Sequence, residues 1–562
     1  MIFTIYLPIK SIYYTLTGGS HMTMPASYEA IENWKRLHYG LFIHYGLFSL
    51  AGGVWRGKPI TFGYTEQILS HGNIGQYDYE ALADSFTAEH FDARSIAKLA
   101  KSVGMRYIVL TSKHHDGFCL FKTSTTNYNT FDRACKRDLV GEMASACAEE
   151  GLAFGIYYSW IDWHMPEASP ISDHNSDPIS PEHMEWNMQQ LTELLGNYGP
   201  IVELWMDMGH PTVEQSEMVA NLARNLQPHI MINGRIWNDR YDFVSLGDNK
   251  LPDRSFDVPW ETPASMYHET WGYRSWQVRG DIDRKIAEII SSLSQVTTYG
   301  GNYLLNIGPM EDGSVVPFER QVLEGVGEWV KGHHEALFDN EPSPIGYHEW
   351  GAATMKNKDL YLHFHSRPSS HSIEIPWTTN LPTKVNLLEG DAAIPLEHQS
   401  SDGRLRITIP NSIFTTPVPI VKLNGVGYHA DAAILPVGGG LVDEKETFWR
   451  YTGEHYYVVH PIPTRKVWRV VLPAGTSFSV GWKVSSPLDT DYKVFYSDGE
   501  LSTTCSLRKG RIDGILFETY RGQGIRTFTL RGIGAPCGRT PIPDAEIKLE
   551  FTPVELEEDT NE

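Results

Sequence analysis

Cysteine is scarce: Cys119, Cys135, Cys147, Cys505 and Cys537 are the five in 562 residues, an odd number without a CxxC pair. Such sparse spacing excludes a disulfide framework and points to a reducing, cytoplasmic setting. Long apolar runs are missing too. None approaches the ~20 residues of a membrane span, which removes the membrane-embedded class. Basic residues are in deficit, with 47 Lys plus Arg against 69 Asp plus Glu and a net charge of −22. That is the wrong sign for phosphate neutralisation, so nucleic acid is not an expected partner. The opening MIFTIYLPIKSIYYTLT has no basic n-region, Lys10 interrupts it, and Gly19-Ser20-His21-Met22 has the form of an expression-tag scar. Residues 1–23 are therefore set aside as tag-derived or disordered.

What remains has ordinary globular composition, 41% apolar and 21% charged. At about 150 residues per domain the length allows three to four domains. Aromatics reach 12%; they line cores, or supply flat faces on which sugar rings stack.

From Trp34 to about Phe338 short apolar runs alternate with helical periodicity. Ile96, Leu99, Ala100 and Val103 follow a candidate Asp92 N-cap, and the run Arg106–Thr111 comes next. The unit repeats: helix 139–150 closed by Gly151 and strand 153–159; a helix opened by Ser180-Pro181 and strand 201–206; helix 214–226 and strand 229–233; helix 282–298 and strand 302–307. Helix-then-strand units with continuously apolar strands predict a parallel sheet covered by helices. His44, His114, His115, Tyr157, Asp207 and Asn233 fall in these strands or at their C-terminal ends, and such groups converge when the strands close into a ring. The expected fold is α/β: a (β/α)8-like TIM barrel over 24–340, without the GxGxxG of a dinucleotide-binding sheet. Past Phe338 helical periodicity gives way to alternating runs such as 404–410, 456–459, 467–472 and 515–519. These predict a β-sandwich domain over 341–435 and a further β domain over 436–562, hinged near Gly438-Gly439-Gly440, with a solvated acidic tail from Glu555.

In Glu203-Leu-Trp-Met-Asp207 alternation places Glu203, Trp205 and Asp207 on one strand face, with the Asp at the C-terminal end. The Asp is either a helix cap or a catalytic carboxylate beside an indole wall. In Thr111–Phe118 the adjacent His114 and His115 invite a metal reading, but consecutive strand side chains point to opposite faces. Hydroxyl recognition suits them better, with His44 joining, and no metal is assigned. His333-His334, inside an expected surface helix, read as satisfied structural histidines rather than ligands. The segment Pro259–Tyr273 reads as a Pro-rich loop with Glu261 beside Trp260, where desolvation would raise a carboxyl pKa toward that of a general acid.

Eight segments, in order, carry a resemblance: Gly40-Leu-Phe-Ile-His-Tyr-Gly46, Lys113-His-His-Asp-Gly-Phe118, Lys136-Arg-Asp-Leu-Val140, Gly155-Ile-Tyr-Tyr-Ser159, Leu204-Trp-Met-Asp207, Trp260-Glu261, Thr270-Trp-Gly-Tyr273 and Asn302–Pro309. Together they resemble the glycoside hydrolase family 29 α-L-fucosidases. The resemblance implies an exo-acting retaining hydrolase that removes terminal α-L-fucosyl residues from oligosaccharides and needs no cofactor. Asp207 matches the nucleophile. Glu261 matches the acid/base of many members, and Asp248 lies near the other position the family uses. His44, Glu66, His114, His115, Tyr157, Trp205, Arg235 and Trp260 match or adjoin substrate-binding positions. Where the family usually has Trp after that Glu, this chain has Gln67, which implies a different wall or one completed by a neighbouring subunit, hence a homo-oligomer. The rival expectations are a non-catalytic, lectin-like fucose-binding barrel and a metal-dependent hydrolase built on His114 and His115.

Overall fold

The computed structural model describes residues 26–555 except 169–170, 172–176, 253–255, 257, 343–344, 377–381, 390–391, 402–403, 426–432, 444–445, 453–459, 487–491, 498–501, 508–509, 523 and 533–545. The segment read as tag-derived, Cys537 and most of the acidic tail lie outside the described residues.

Helix α1, Tyr28–Lys35, is capped by Ser27 and leads into eight parallel strands. These are β1 (Tyr39–Ile43), β2 (Tyr107–Lys113), β3 (Ala153–Ser159), β4 (Glu203–Asp207), β5 (Met231–Ile232), β6 (Val244–Ser245), β7 (Trp260–Ser265) and β8 (Asn302–Ile307). They hydrogen-bond in the order β5-β4-β3-β2-β1-β8-β7-β6. A parallel bridge from Asn233 to Phe243 joins the two outer strands, so the ring closes as a barrel. The sequence-expected barrel is the one observed.

Helices α2 (Ala93–Ser102), α3 (Leu139–Glu150), α4 (Pro181–Asn197), α5 (Val213–Leu226), α6 (Ile282–Thr298) and α7 (Pro317–Leu337) cover it. Their ends are written in the sequence: Asp92, Asp138, Ser180, Thr212 and Asp281 accept backbone N–H groups of their first turns. Gly151 closes α3 at φ 70°, a left-handed conformation that glycine adopts without strain. Two apolar cores follow from the pleat. Inside the ring lie Phe42, Tyr107, Val109, Tyr157, Trp205, Met231, Phe243 and Leu304; α1 plugs the N-terminal mouth with Trp34, stacked 4.3 Å from Phe243. Between ring and helices, residues of the other parity, such as Leu41, Ile108 and Ile156, pack outward.

His333 lies on the buried face of α7, where its Nδ1 meets the Trp329 carbonyl at 2.8 Å. Two local expectations differ from the structure. The segment from Trp260 is a barrel strand, β7, rather than a loop; Pro263 within it gives up a donor but its carbonyl accepts from the Asn249 N–H at 3.0 Å. The last sheets begin earlier than residue 436, because Ala433–Ile434 already pair with His460–Leu472.

Beyond the barrel, among the described residues, every sheet is antiparallel apart from that short pair. A six-stranded and a three-stranded sheet within 341–424 enclose Leu360, Leu362, Ile375, Leu405, Ile407 and Val421. The final sheets enclose Trp468, Val470, Phe478, Val480, Phe528 and Leu549. Among the described residues no helix is long and apolar enough to cross a membrane.

Candidate functional site

The C-terminal mouth of the barrel opens into a cavity of about 190 Å³ lined by Phe42, His44, Tyr64, Glu66, Gln67, His114, His115, Tyr157, Trp205, Asp207, Met208, Arg235, Asp248 and Trp271. Its members come from the ends of seven strands, β1 to β7, and the loops after them, which is where a parallel barrel aims its polar side chains. Alternation explains the pairs Phe42/His44 and Trp205/Asp207: residues two apart share the inward face.

Asp207 closes β4 and is held by both oxygens. Arg235 Nη1 donates to Oδ1 at 2.6 Å and the Tyr157 hydroxyl donates to Oδ2 at 2.7 Å. Burial pushes the carboxyl up, but the Arg235 charge and the hydrogen bonds from Arg235 and Tyr157 outweigh it and keep Asp207 below the ordinary aspartate value. The group is a carboxylate at neutral pH, aimed into an enclosed space. Arg235 uses its other terminal nitrogen on Asp248 Oδ1, also at 2.6 Å. One planar guanidinium therefore joins two carboxylates, which holds them close together across the cavity. Its face rests on the Trp205 ring, 4.6 Å from the centroid.

Glu66 is a third acid in the lining. Its Oε2 accepts the Trp271 and Gly272 backbone N–H groups at 3.2 and 2.9 Å. Burial, reinforced by the Asp248 charge, outweighs those bonds and moves Glu66 up to about 7.

The three histidines are neutral. Burial lowers His44 to about 3 and His115 to about 4, and takes His114 well down. His44 Nδ1 lies 2.6 Å from Asn306 Oδ1, whose amide nitrogen is committed to the Trp271 carbonyl. His115 Nδ1 faces Ser159 Oγ at 2.8 Å, and that hydroxyl donates to the Ile161 carbonyl. Both rings thus carry the proton on Nδ1 and turn an accepting Nε2 away from these partners, as recognition of sugar hydroxyls requires. His114 and His115 both reach the cavity with ring centroids 3.8 Å apart, against the expectation of opposite faces, because β2 ends at Lys113 and the pleat no longer applies. Among the described residues no group of three or more His, Cys, Asp or Glu is arranged to hold a metal ion.

Two expected site residues are elsewhere. Glu261 is the second residue of β7, near the N-terminal floor of the barrel; it is absent from the lining, fully buried, and accepts from the Tyr107 hydroxyl at 2.6 Å and from Trp205 Nε1 at 2.9 Å. Trp260, one residue earlier, has the opposite parity and packs outward against Phe256 and Gly301. Once the segment is a strand, its acid lies in the barrel floor beneath the cavity and its indole is core. Phe42, Tyr64, Met208 and Trp271 line the site without having been singled out. Phe42 was reachable through its i, i+2 relation to His44. Trp271 stands in the Thr270–Tyr273 segment just past a strand end.

The family profile described as Alpha-L-fucosidase matches residues 20–335. Human tissue alpha-L-fucosidase is 29% identical over 381 residues, which cover 63% of this chain and 80% of that protein. Among solved structures, alpha-L-fucosidase isoenzyme 1 from Paenibacillus thiaminolyticus has a TM-score of 0.61 at 28% identity, covering 70% of this chain and 98% of that one. Thermotoga maritima alpha-fucosidase in complex with fucose has a TM-score of 0.58 at 28% identity, covering 72% and 97%. The fold of the alpha-L-fucosidase from Vibrio sp. strain EJY3 extends over 94% of this chain and 98% of its own, with a TM-score of 0.66 at 22% identity. With more than half of its length matched by the family profile, the chain belongs to the α-L-fucosidase family of glycoside hydrolases.

Proposed function

We propose that the chain hydrolyses terminal α-L-fucosides with retention, with Asp207 as nucleophile and Asp248 as acid/base. The observation that carries this reading is the Arg235 bridge: two carboxyls on one guanidinium face a single enclosed cavity. Retaining glycosidases keep their two carboxyls only about 5 to 5.5 Å apart. Asp207, the more tightly held anion, attacks C1 while the C1–O bond breaks and Asp248 gives its proton to the leaving oxygen. A fucosyl ester forms on Asp207. Asp248 then takes a proton from water, the water oxygen attacks C1, and Asp207 leaves as the carboxylate. Glu66 sits close enough for the Asp248 charge to raise it beyond what burial does, which marks it as the neighbouring acid of the site.

His44, His114, His115 and Glu66 offer polar atoms for the ring hydroxyls, and Phe42, Trp205 and Trp271 supply the apolar wall for the C5 methyl. A cavity of about 190 Å³ at the strand ends has room for a terminal sugar, which suits exo action. The buried, unpaired thiols of Cys119, Cys135 and Cys147 support a reducing, cytoplasmic setting. Gln67 in the lining, engaged with His71 at 3.0 Å, leaves a non-aromatic stretch of wall and supports a homo-oligomer that completes it.

Asp207→Gly and Asp248→Ala test the assignment on an aryl α-L-fucoside with sodium azide. Asp207→Gly loses at least about a thousandfold in kcat, and azide entering in place of the missing carboxylate gives the β-fucosyl azide. Asp248→Ala retains formation of the intermediate, so azide in place of water gives the α-fucosyl azide. Hydrolysis unaffected by Asp207→Gly sinks the retaining reading and favours a silent fucose-binding barrel. The α-azide arising from Glu66→Ala instead moves the acid/base to Glu66.

A further inference from the structure

Beneath the cavity lies a second pair of acids that the reaction above does not use. Glu203 and Glu261 are both fully buried in the N-terminal layer of the barrel. Three donors reach them: Trp34 Nε1 to Glu203 Oε2 at 2.5 Å, the Tyr107 hydroxyl to Glu261 Oε2, and Trp205 Nε1 to Glu261 Oε1. Four carboxyl oxygens therefore meet three N–H or O–H groups, and among the described residues the fourth, Glu203 Oε1, is buried without a hydrogen-bond partner. Two buried carboxyls that feel each other's charge do not both stay ionised, so the pair holds a proton. The charge of Glu261 raises Glu203 well above the ordinary value in addition to its burial, which agrees with the proton residing there.

The consequence reaches the reacting groups through one indole. Trp205 is tied by its N–H to Glu261 below, while its rings pack on Phe42 at 5.3 Å and Tyr157 at 5.8 Å between centroids, and carry the Arg235 guanidinium. Tyr157 and Arg235 are the two groups that hold Asp207.

We propose that Glu261 is a positioning residue of the fucose pocket: as joint acceptor of the Trp205 indole and the Tyr107 hydroxyl it fixes Trp205, and through Trp205 the Tyr157–Arg235 clamp on Asp207. This rests on the reading of Asp207 and its clamp as the reacting centre. A Gln at this position keeps an acceptor for Trp205 and turns its amide N–H toward the Tyr107 oxygen; an Ala removes both.

Glu261→Gln, Glu261→Ala, Trp205→Phe and the double variant Trp205→Phe/Glu261→Ala test it, with Asp248→Ala as control. Expected is an E261Q enzyme with kcat within about threefold of the parent, and an E261A enzyme whose KM rises about tenfold or more, neither forming fucosyl azide. Because Phe has no N–H to offer, adding E261A to W205F costs clearly less than the roughly tenfold that E261A costs alone, a coupling that purely independent packing would not show. If E261A fails to fold, E261Q still decides, since a loss in kcat well beyond about threefold at a position that keeps its acceptor contradicts a positioning role. The proposal is overturned if azide rescues E261Q with formation of the α-fucosyl azide, which makes Glu261 the chemical acid/base, or if E261A and W205F act additively. Absence of azide rescue in D248A, with the Glu261 variants behaving as expected, defeats the Asp248 assignment and leaves this inference standing.

Discussion

Tyr157 donates its hydroxyl to Asp207 across neighbouring strands, at 2.7 Å, while its ring stacks on Trp205, the residue paired with it in the ladder. The same parallel register sets Ser159 beside Asp207, so the phenol reaches diagonally up the barrel wall to the carboxylate. Tyr157→Phe keeps the stack and deletes one charge-assisted bond. The expected outcome is a loss of about tenfold or more in kcat/KM. Since that bond helps hold the Asp207 pKa down, its removal raises the pKa, and the acid limb of the kcat/KM profile moves to higher pH. A profile with an unmoved acid limb contradicts the assignment of that limb to Asp207.

Arg235→Lys is expected to be more damaging than its conserved charge suggests. Lysine is a point charge on a flexible stem and cannot present two coplanar N–H groups to Asp207 and Asp248 while lying flat on Trp205. The loss should fall on kcat rather than on KM alone, by about a hundredfold, because the separation of the two carboxyls is what the guanidinium sets. Steady-state kinetics on an aryl fucoside decide this, and a change confined to KM counts against the bridge.

Buried acids also mark the stability of the fold against pH. Glu66 is raised from 4.5 to about 7, first by burial and further by Asp248. With the folded pKa above the unfolded one, its stabilising contribution is complete below about 4.5 and is lost as pH rises through about 7. Glu66→Gln removes that dependence. Thermal denaturation of the two proteins from pH 5 to pH 8 should therefore show the variant gaining on the parent as pH increases; parallel curves would contradict a raised Glu66.

The barrel was legible where the local signals agreed. Helix Leu139–Glu150 between Asp138 and Gly151, and the strand Ala153–Ser159 after it, stand where the cap residues and the apolar run placed them. Asp207 and Trp205 followed from pleat parity along Glu203–Asp207. Parity failed at Glu261 for lack of a strand to count along: Pro263, two threonine-flanked positions on and the surrounding indoles gave Pro259–Tyr273 the texture of a loop. The acid it carries was desolvated, as expected of a general acid, but by the barrel floor rather than by the substrate cavity. Nothing in one sequence separates those two kinds of burial. Arg235 lies in a single 3-10 turn after β5 and Asp248 in the loop after β6, strands of two residues each, where neither periodicity nor spacing indicates that one side chain will bridge two carboxyls.

Two tryptophans near each other in the barrel separate packing from recognition. Trp260 faces outward, where a Cβ on Gly301 would lie 2.5 Å from its ring, so that glycine is what lets the indole lie against the β8 entrance. Trp260→Phe leaves a void in that layer and is expected to cost about 1 to 3 kcal/mol, read as a lower Tm, with kcat and KM unchanged. Trp205→Phe keeps most of the ring volume but loses the N–H that reaches Glu261 and the broad face under Arg235. There the expected change is in KM and kcat/KM for fucosides, at a smaller cost in Tm than an unsatisfied buried donor would impose, because the donor itself is gone. Equal kinetic effects of the two substitutions would mean that the outward indole also reaches the sugar, and would overturn the parity of β7 on which the placement of Glu261 depends.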